Sequence, residues 1–376
     1  MSGAREAGLI ALAAGGTGGH VFPAQALAAT LDARGHRLAL LTDARGHRYG
    51  GVLDRIESHP IRSASPSARG VAAKLGALFR LMIGTREAKR LLARLKPGAV
   101  VGFGGYASVP PVLAACRLGI PTVIHEQNAV LGRANRLLAR RVDRLATSFP
   151  TTLRVPARAK GRIVCTGNPV RPPIAEVGGT PYRAPGPEDR INLLIFGGSQ
   201  GARALSTLVP AALAQLPQPV RQRLQVVQQC RPEDLNEVAT TYQAAGIAAE
   251  CDRFFEDMAA RLGAAHLVIA RAGASTVAEL AAAGRPSILI PYPHALDDHQ
   301  SANARALEAA GAAWLMAQDR LTTEGLAAAI AGLLDAPERL AAAAAAALGF
   351  ARADAARALA DIVEALAKPA DRSAAP

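Results

Sequence analysis

Arg190-Ile191-Asn192-Leu193-Leu194-Ile195-Phe196, followed by Gly197-Gly198-Ser199-Gln200-Gly201-Ala202-Arg203, is the stretch that decides the fold. A short apolar run reads as a buried strand, and the glycine-rich turn after it opens a helix. The same order stands near the start of the chain. There Gly8-Leu9-Ile10-Ala11-Leu12-Ala13-Ala14 runs into Gly15-Gly16-Thr17-Gly18-Gly19-His20. Outward from that first turn, Arg37–Thr42, Ala99–Gly102 and Thr122–His125 read as further strands. Phe22–Arg34, Gly84–Leu95, Ser108–Arg117 and Gly132–Arg140 read as helices. After the restart, Leu224–Gln228, Ala249–Cys251, Leu267–Ala270 and Ser287–Ile290 continue as strands. Short strands alternating with helices imply parallel sheets covered on both faces. The expectation is an α/β chain of two tandem, Rossmann-like, doubly wound domains facing across a cleft.

A length of 376 residues suits two domains at roughly 100–200 residues each. The Pro-rich segment Asn168-Pro169-Val170-Arg171-Pro172-Pro173 reads as the linker, giving domains over 1–170 and 171–348. The Ala-rich tail Ala341–Ala367 reads as a helix pair, of which about 349–367 packs back on the first domain, and 369–376 as disordered. No apolar run reaches about 18 residues, so no helix is expected to span a bilayer. Gly8–Ala14 superficially resembles a signal core but runs into a glycine turn rather than a cleavage site, and reads as a strand. Cys116, Cys165, Cys230 and Cys251 form no C-x-x-C pair and read as reduced, buried thiols.

Charge is uneven. The first 170 residues hold 25 basic and 8 acidic side chains, the remainder 18 and 22. A basic first half expects a polyanionic partner, phosphate groups or an anionic membrane surface. Between Arg69 and Lys96, Val71, Leu75, Leu78, Phe79, Leu81, Met82 and Ile83 mix with Lys74, Arg80, Arg86, Lys89 and Arg90. This stretch reads as a membrane-surface helix or as an ordinary surface helix, the charge favouring the first. Aromatics suited to base stacking are not interleaved with the basic residues, so no nucleic-acid partner is expected.

Glycine turns between strand and helix serve phosphates, because the backbone approaches closely and the helix N-terminus offers unpaired N–H groups. Gly15–His20 and Gly197–Gly201 read either so or as tight turns, and neither has dinucleotide or Walker spacing. Gly102-Phe103-Gly104-Gly105-Tyr106-Ala107-Ser108 is a third such turn, for a phosphate-bearing second substrate or for packing alone. His125-Glu126-Gln127-Asn128 reads as a ligand-facing loop, with Glu126 alternatively capping the next helix. Arg271–Glu279 is again strand end, small-residue turn and helix. Its Glu279 would accept ribose hydroxyls or answer the helix dipole. Pro291–Asn303 carries His294, Asp297, Asp298 and His299. With no companion cluster, a sugar-hydroxyl site served by Gln300 is the stronger reading, and no metal is expected.

Together these motifs resemble the MurG family of GT-B glycosyltransferases. The carrying segments are Gly15–Pro23 (GGTGGHVFP), Gly102–Ser108 (GFGGYAS), His125–Asn128 (HEQN), Gly167–Arg171 (GNPVR), Gly197–Arg203 (GGSQGAR), Arg271–Glu279 (RAGASTVAE) and Asp298–Asn303 (DHQSAN). They stand in the family's order over residues 9 to about 310. Ser108-Val109-Pro110 departs from the family's frequent Ser-Gly-Pro, which bears only on local loop geometry.

The resemblance implies inverting transfer of N-acetylglucosamine from its UDP donor to the C4 hydroxyl of undecaprenyl-diphosphate-linked N-acetylmuramoyl-pentapeptide, in peptidoglycan synthesis. It implies an acceptor- and membrane-facing first domain and a UDP-sugar-binding second one. The implied location is peripheral, on the cytoplasmic face of the bacterial inner membrane, among cell-wall synthesis proteins. No cofactor is implied, since UDP-N-acetylglucosamine is a substrate. By matching positions, Thr17, Gly18, Gly19 and Asn128 would lie at the donor sugar and Gln300 at its hydroxyls. Arg171 and Ser199 would hold the diphosphate, and Phe255 would offer its backbone to uracil. Ala274, Ser275, Thr276, Val277, Ala278 and Glu279 would line the nucleotide. Gly104, Gly105, Tyr106 and Glu126 are acceptor-side candidates. His20, at the end of the first turn, is the candidate general base, since imidazole ordinarily titrates near neutrality. Its alternatives are a helix cap or an acceptor-phosphate contact, and Asn128 is taken as catalytic beside it.

Rival readings are a diacylglycerol glucosyltransferase, a non-hydrolysing UDP-N-acetylglucosamine epimerase and, from charge alone, a nucleic-acid-binding module. A Rossmann dehydrogenase fits less, for want of its glycine spacing.

Overall fold

The computed structural model describes residues 8–15, 18–43, 51–64, 71–198 and 202–367, with the backbone alone at 71–74. The chain forms two compact units. One runs to Arg171 and resumes at Asp354; the other is Pro172–Ala353.

The first unit contains β1 (Leu9–Ala13), α1 (Gly18–Ala33), β2 (Arg37–Thr42), β3 (Glu57–Pro60), α2 (Val71–Leu95), β4 (Ala99–Gly102), α3 (Gly105–Leu118), β5 (Thr122–Glu126), α4 (Arg133–Leu138), β6 (Arg144–Thr147) and β7 (Ile163–Cys165). Its sheet has the order β3-β2-β1-β4-β5-β6-β7, with every pairing parallel. A parallel strand buried on both faces must be apolar at consecutive positions, and β1 is. Ile10 and Leu12 join a core with Leu27 and Leu31 of α1, while Ala11 joins the opposite core with Leu92 and Val112. From β1 the chain goes to one side for β2 and β3, then crosses to the other for β4. The gap between β1 and β4 is thus the topological switch point, where doubly wound sheets bind ligands at strand carboxyl ends.

The second unit contains α5 (Pro172–Val177), β8 (Ile191–Phe196), α6 (Arg203–Ala214), α7 (Gln218–Arg223), β9 (Leu224–Gln229), α8 (Leu235–Ala244), β10 (Ala248–Asp252), α9 (Met258–Ala264), β11 (Leu267–Ala270), α10 (Ala274–Ala283), β12 (Ser287–Leu289), α11 (His299–Ala309), β13 (Ala313–Leu315), α12 (Thr323–Leu334) and α13 (Pro337–Phe350). Its parallel sheet, β10-β9-β8-β11-β12-β13, reverses at β8 and β11 as the first reverses at β1 and β4.

From Pro337 the tail forms two helices that belong to different units. α13 stays with the second unit, where Leu348 covers the left-handed Gly284 that ends α10. A Cβ at Gly284 would lie 2.6 Å from Leu348 Cγ. Only α14 (Ala355–Ala367) joins the first unit. Its Leu359, Ala360 and Val363 enter the core beside α1. Arg34 donates to Asp361 at 2.7 Å and to Glu364 at 3.1 Å, and His36 meets Glu364 at 3.0 Å. The expected disordered tail lies outside the described residues.

Candidate active site

In the first unit, three segments converge at the switch point. The turn after β1 leads into α1, whose first turn carries Gly18, Gly19 and His20. The turn after β4 holds Gly104, and Gly105 opens α3, both at positive φ (84° and 65°). Few residues but glycine tolerate that backbone. The glycines also let the His20 ring stand over them. A Cβ on Gly104 would lie 3.3 Å from its Cε1, and one on Gly105 3.3 Å from its Cδ2. The loop after β5 supplies the third part. Gln127 Oε1 lies 3.1 Å from His20 Nδ1, and the Gln127 amide nitrogen donates toward Phe103 O at 3.0 Å and His125 Nδ1 at 3.0 Å. His125 is fully buried, its Nε2 lies 3.0 Å from Gly167 O, and burial pushes its pKa down to about 4.

Glu126 is also buried, and its carboxylate is saturated from within the loop. It accepts from the Asn128 backbone at 3.0 Å and side chain at 3.2 Å, from the Gly132 backbone at 2.8 Å and from Asn135 at 2.9 Å. Gly132 is the residue before α4, so Glu126 fixes that helix start as well as Asn128. Tyr106 is half-buried against the core under α3. The Arg171 guanidinium stacks over Phe22 of α1 at 4.8 Å, one turn from Gly18. Thr17 lies outside the described residues.

In the second unit, β8 is followed by Gly197 and Gly198, the latter at φ 81° with open space where a Cβ would stand. Ser199 lies outside the described residues. Beside this turn, β11 is followed by Arg271, which is buried. It donates to Ile290 O and Pro291 O at 3.0 Å each and to Gln318 at 2.6 Å, tying three loops together. Gly273 precedes α10 with no side chain to cap it. Ala274, Ser275 and Thr276 form the first turn, where the Ser275 hydroxyl is buried without a hydrogen-bond partner among the described residues. Glu279, four residues on from Ser275, shares its helix face and is buried; Val277 and Ala278 lie between them. Asn303 of α11 donates to Ala272 O at 3.1 Å, and Gln300 accepts from the Tyr292 backbone at 2.9 Å. One lone pair of the Gln300 oxygen is therefore already engaged.

Phe255 is buried after β10 under Arg261, whose guanidinium sits 4.1 Å from the ring centre. A groove of about 620 Å³ lined by Gln225, Val227, Glu250 and Arg261 runs along the same sheet, but it includes none of the expected site residues. Among the described residues, no group of three His, Cys, Asp or Glu could hold a metal. In the 291–303 loop, Asp297 and Asp298 adopt left-handed backbone and His299 bonds Leu296 O at 2.7 Å.

Sequence reasoning named His125 and Gln127 as part of a polar loop without giving either a task, and it passed over Asn135 and Arg271 as a staple. The signal for the first pair was their place at a strand's carboxyl end beside a glycine turn.

The chain matches the glycosyltransferase family 28 N-terminal domain over residues 10–147 and the family's C-terminal domain over residues 192–359. It belongs to glycosyltransferase family 28. Family members similar to it include the UDP-N-acetylglucosamine--N-acetylmuramyl-(pentapeptide) pyrophosphoryl-undecaprenol N-acetylglucosamine transferase of Paramagnetospirillum magneticum. That relative is 54% identical over 94% of this chain and 96% of its own length. The transferase of the same name from Rhodospirillum rubrum is 56% identical over 95% and 92%. The crystal structure of Acinetobacter baumannii MurG superposes with a TM-score of 0.79 at 35% identity, covering 95% of this chain and 99% of that one. The two parallel-sheet units are those of a GT-B glycosyltransferase.

Proposed function

We propose that this enzyme transfers N-acetylglucosamine from UDP-N-acetylglucosamine to the C4 hydroxyl of undecaprenyl-diphosphate-linked N-acetylmuramoyl-pentapeptide, with inversion. The observation that carries the reading is that relatives more than half identical, over nearly the whole chain, bear the name of that transfer. In the proposed step the acceptor O4 gives its proton to His20 Nε2 and bonds to the anomeric carbon. The bond from that carbon to the β-phosphate oxygen breaks, and UDP leaves with the electron pair. Charge grows on the departing diphosphate, and the partial positive charge at a helix start such as that of α10 is suited to it. The Ser275 hydroxyl, without a hydrogen-bond partner among the described residues, and the buried Glu279 on one face of α10 suit phosphate and ribose oxygens respectively. These groups would serve the leaving diphosphate without a metal ion.

The test is transfer of radiolabelled sugar from the UDP donor to the lipid-linked acceptor with EDTA present. Lipid-linked label is expected. Product that needs added magnesium would refute the metal-free step. No product in either buffer, with UDP-sugar binding intact, would refute the acceptor.

The anionic membrane surface is proposed as a further partner, at the cytoplasmic face. Leu75, Leu78, Phe79 and Met82 of α2 stand at helical spacing and are 61, 54, 57 and 48% exposed. Ala77, Leu81, Ala88 and Leu92 face the core instead, so α2 has two apolar faces. Exposed Arg80, Arg86, Lys89 and Arg90 share the helix. Each large side chain sunk into lipid would contribute about 1.5 kcal/mol or more, and each nearby cation about 1 kcal/mol. Among the described residues no helix is long and apolar enough to cross a membrane. Co-sedimentation with anionic vesicles that survives replacement of all four apolar residues by serine would refute this surface.

A further inference from the structure

We propose that Gln127 and His125 are positioning residues that hold His20 in its Nδ1–H tautomer, leaving the Nε2 lone pair for the acceptor proton. The inference rests on His20 as the base of the transfer proposed above. A carbonyl oxygen at the far end of the hydrogen-bond chain fixes every role along it. Gly167 O only accepts, and it lies 3.0 Å from His125 Nε2, so that nitrogen carries the proton. His125 is fully buried and neutral at pH 7, so its Nδ1 is a bare acceptor. One end of the Gln127 side chain therefore meets three acceptors: His125 Nδ1 at 3.0 Å, Phe103 O at 3.0 Å and His125 O at 3.1 Å. Only the NH2 end of the amide can stand there, because the oxygen would face three lone pairs with no proton between. The other end is consequently the oxygen, 3.1 Å from His20 Nδ1. That oxygen can only accept, so Nδ1 must donate.

Donation thus runs from His20 through Gln127 and His125 to Gly167 O, with every role fixed by that final acceptor. Which ring nitrogen of an imidazole is protonated is set by the bond that the other makes. Here the set tautomer is the one that an unconstrained imidazole disfavours, and it is the only neutral form with a lone pair on Nε2. Among the described residues, Nε2 makes no hydrogen bond. The ring is also held in place from below. A Cβ on Gly105 would lie 3.3 Å from Cδ2 and 3.4 Å from Nε2, so the glycine backbone is already a floor against the ring.

The test joins a spectrum to kinetics. In the full chain labelled with 15N-histidine, in mildly alkaline buffer, His20 is assigned by the signal lost in His20→Gln. Wild type is expected to show a protonated Nδ1 and an unprotonated Nε2. Gln127→Met, which keeps the length and removes both polar ends, is expected to move His20 toward the Nε2–H form. It should also lower kcat about 10- to 100-fold with the donor KM within about twofold, the scale typical of lost support around a reactive group. Gln127→Asn, too short to reach His20, carries the same comparison if the methionine variant fails to fold. An Nε2–H form in wild type overturns the proposal, as does a shifted tautomer with undiminished kcat. A lowered kcat with the wild-type tautomer intact overturns it too. Wild type that transfers no sugar to the acceptor refutes the function proposed above, while the tautomer measurement still stands or falls by itself.

Discussion

Gly104 and Gly105 differ by one methyl group from a direct test of how the His20 ring is held. Gly105 sits at φ 65°, in the left-handed region, where an alanine costs roughly 1–2 kcal/mol. Gly104 sits at φ 84° and ψ −170°, a region that is essentially glycine's own, and alanine there costs roughly 1–3 kcal/mol. Backbone strain is only part of each effect. The new Cβ of Gly105→Ala would start 3.3 Å from His20 Cδ2, tighter than an ordinary contact, so the ring must move by a few tenths of an ångström. That motion loosens the 3.1 Å bond from Nδ1 to Gln127, and misplacement on this scale is felt in rate more than in binding. The expected outcome for Gly105→Ala is a loss of roughly 1–2 kcal/mol in urea unfolding and a kcat lowered about tenfold or more, with the donor KM near wild type. Gly104→Ala should lose more stability, with a similar fall in kcat. Steady-state transfer assays beside unfolding curves check both. Full kcat in a Gly105→Ala protein that shows the stability loss would refute the reasoning, since the ring would then be free to relax without cost.

Other outcomes follow from the same geometry. His20→Ala should lower kcat about 10²–10⁴-fold, the usual weight of a positioned base, and leave donor KM within a few-fold; unchanged turnover would remove His20 from the reaction. His125 gives an acid limb. An unfolded histidine takes up its proton near pH 6.5, whereas this one holds off to about 4, so stability is complete above pH 6.5 and falls toward pH 4. The loss should total about 3 kcal/mol, and urea curves over that range should lose this slope in His125→Asn. Leu359→Ala should destabilise the first unit by about 2–5 kcal/mol, since α14 enters its core at a fully buried site; a change near zero would mean that α14 docks through its ion pairs alone.

The architecture was legible because parallel strands must be apolar at consecutive positions, and β1 and β8 announce themselves with a glycine turn behind each. Strands of the edges carry weaker signals. β3 reads Glu57-Ser58-His59-Pro60, and β7 has only three residues, Ile163–Cys165, so neither pattern rises above a loop. The full length of α2 was blurred for a physical reason. Its first half bears an exposed apolar stripe as well as the buried one, and two stripes erase the single-face period by which a helix is recognised. Gly84–Leu95, where the outer face turns polar, read as a plain helix, whereas the stretch from Arg69 stood between a membrane-surface helix and an ordinary surface one.

At the site the sequence showed which segments meet and could not show what each side chain does on arrival. HEQN is four polar residues in a row, and any of them could face a ligand. In the fold they divide by strand geometry. His125 and Glu126, the last residues of β5, are drawn inward, one to bond Gly167 and the other to collect the donors of its own loop. Gln127 turns toward β4 and reaches His20, 107 residues earlier in the chain. That link depends on β4 lying between β1 and β5 in the sheet, which is a fact of topology and has no trace in local spacing. The catalytic part assigned to His20 therefore draws on three separate segments, each positioned by a strand end at the switch point. A substitution at Gly167, far from the first glycine turn in sequence, should be felt at His20 through the same chain of hydrogen bonds.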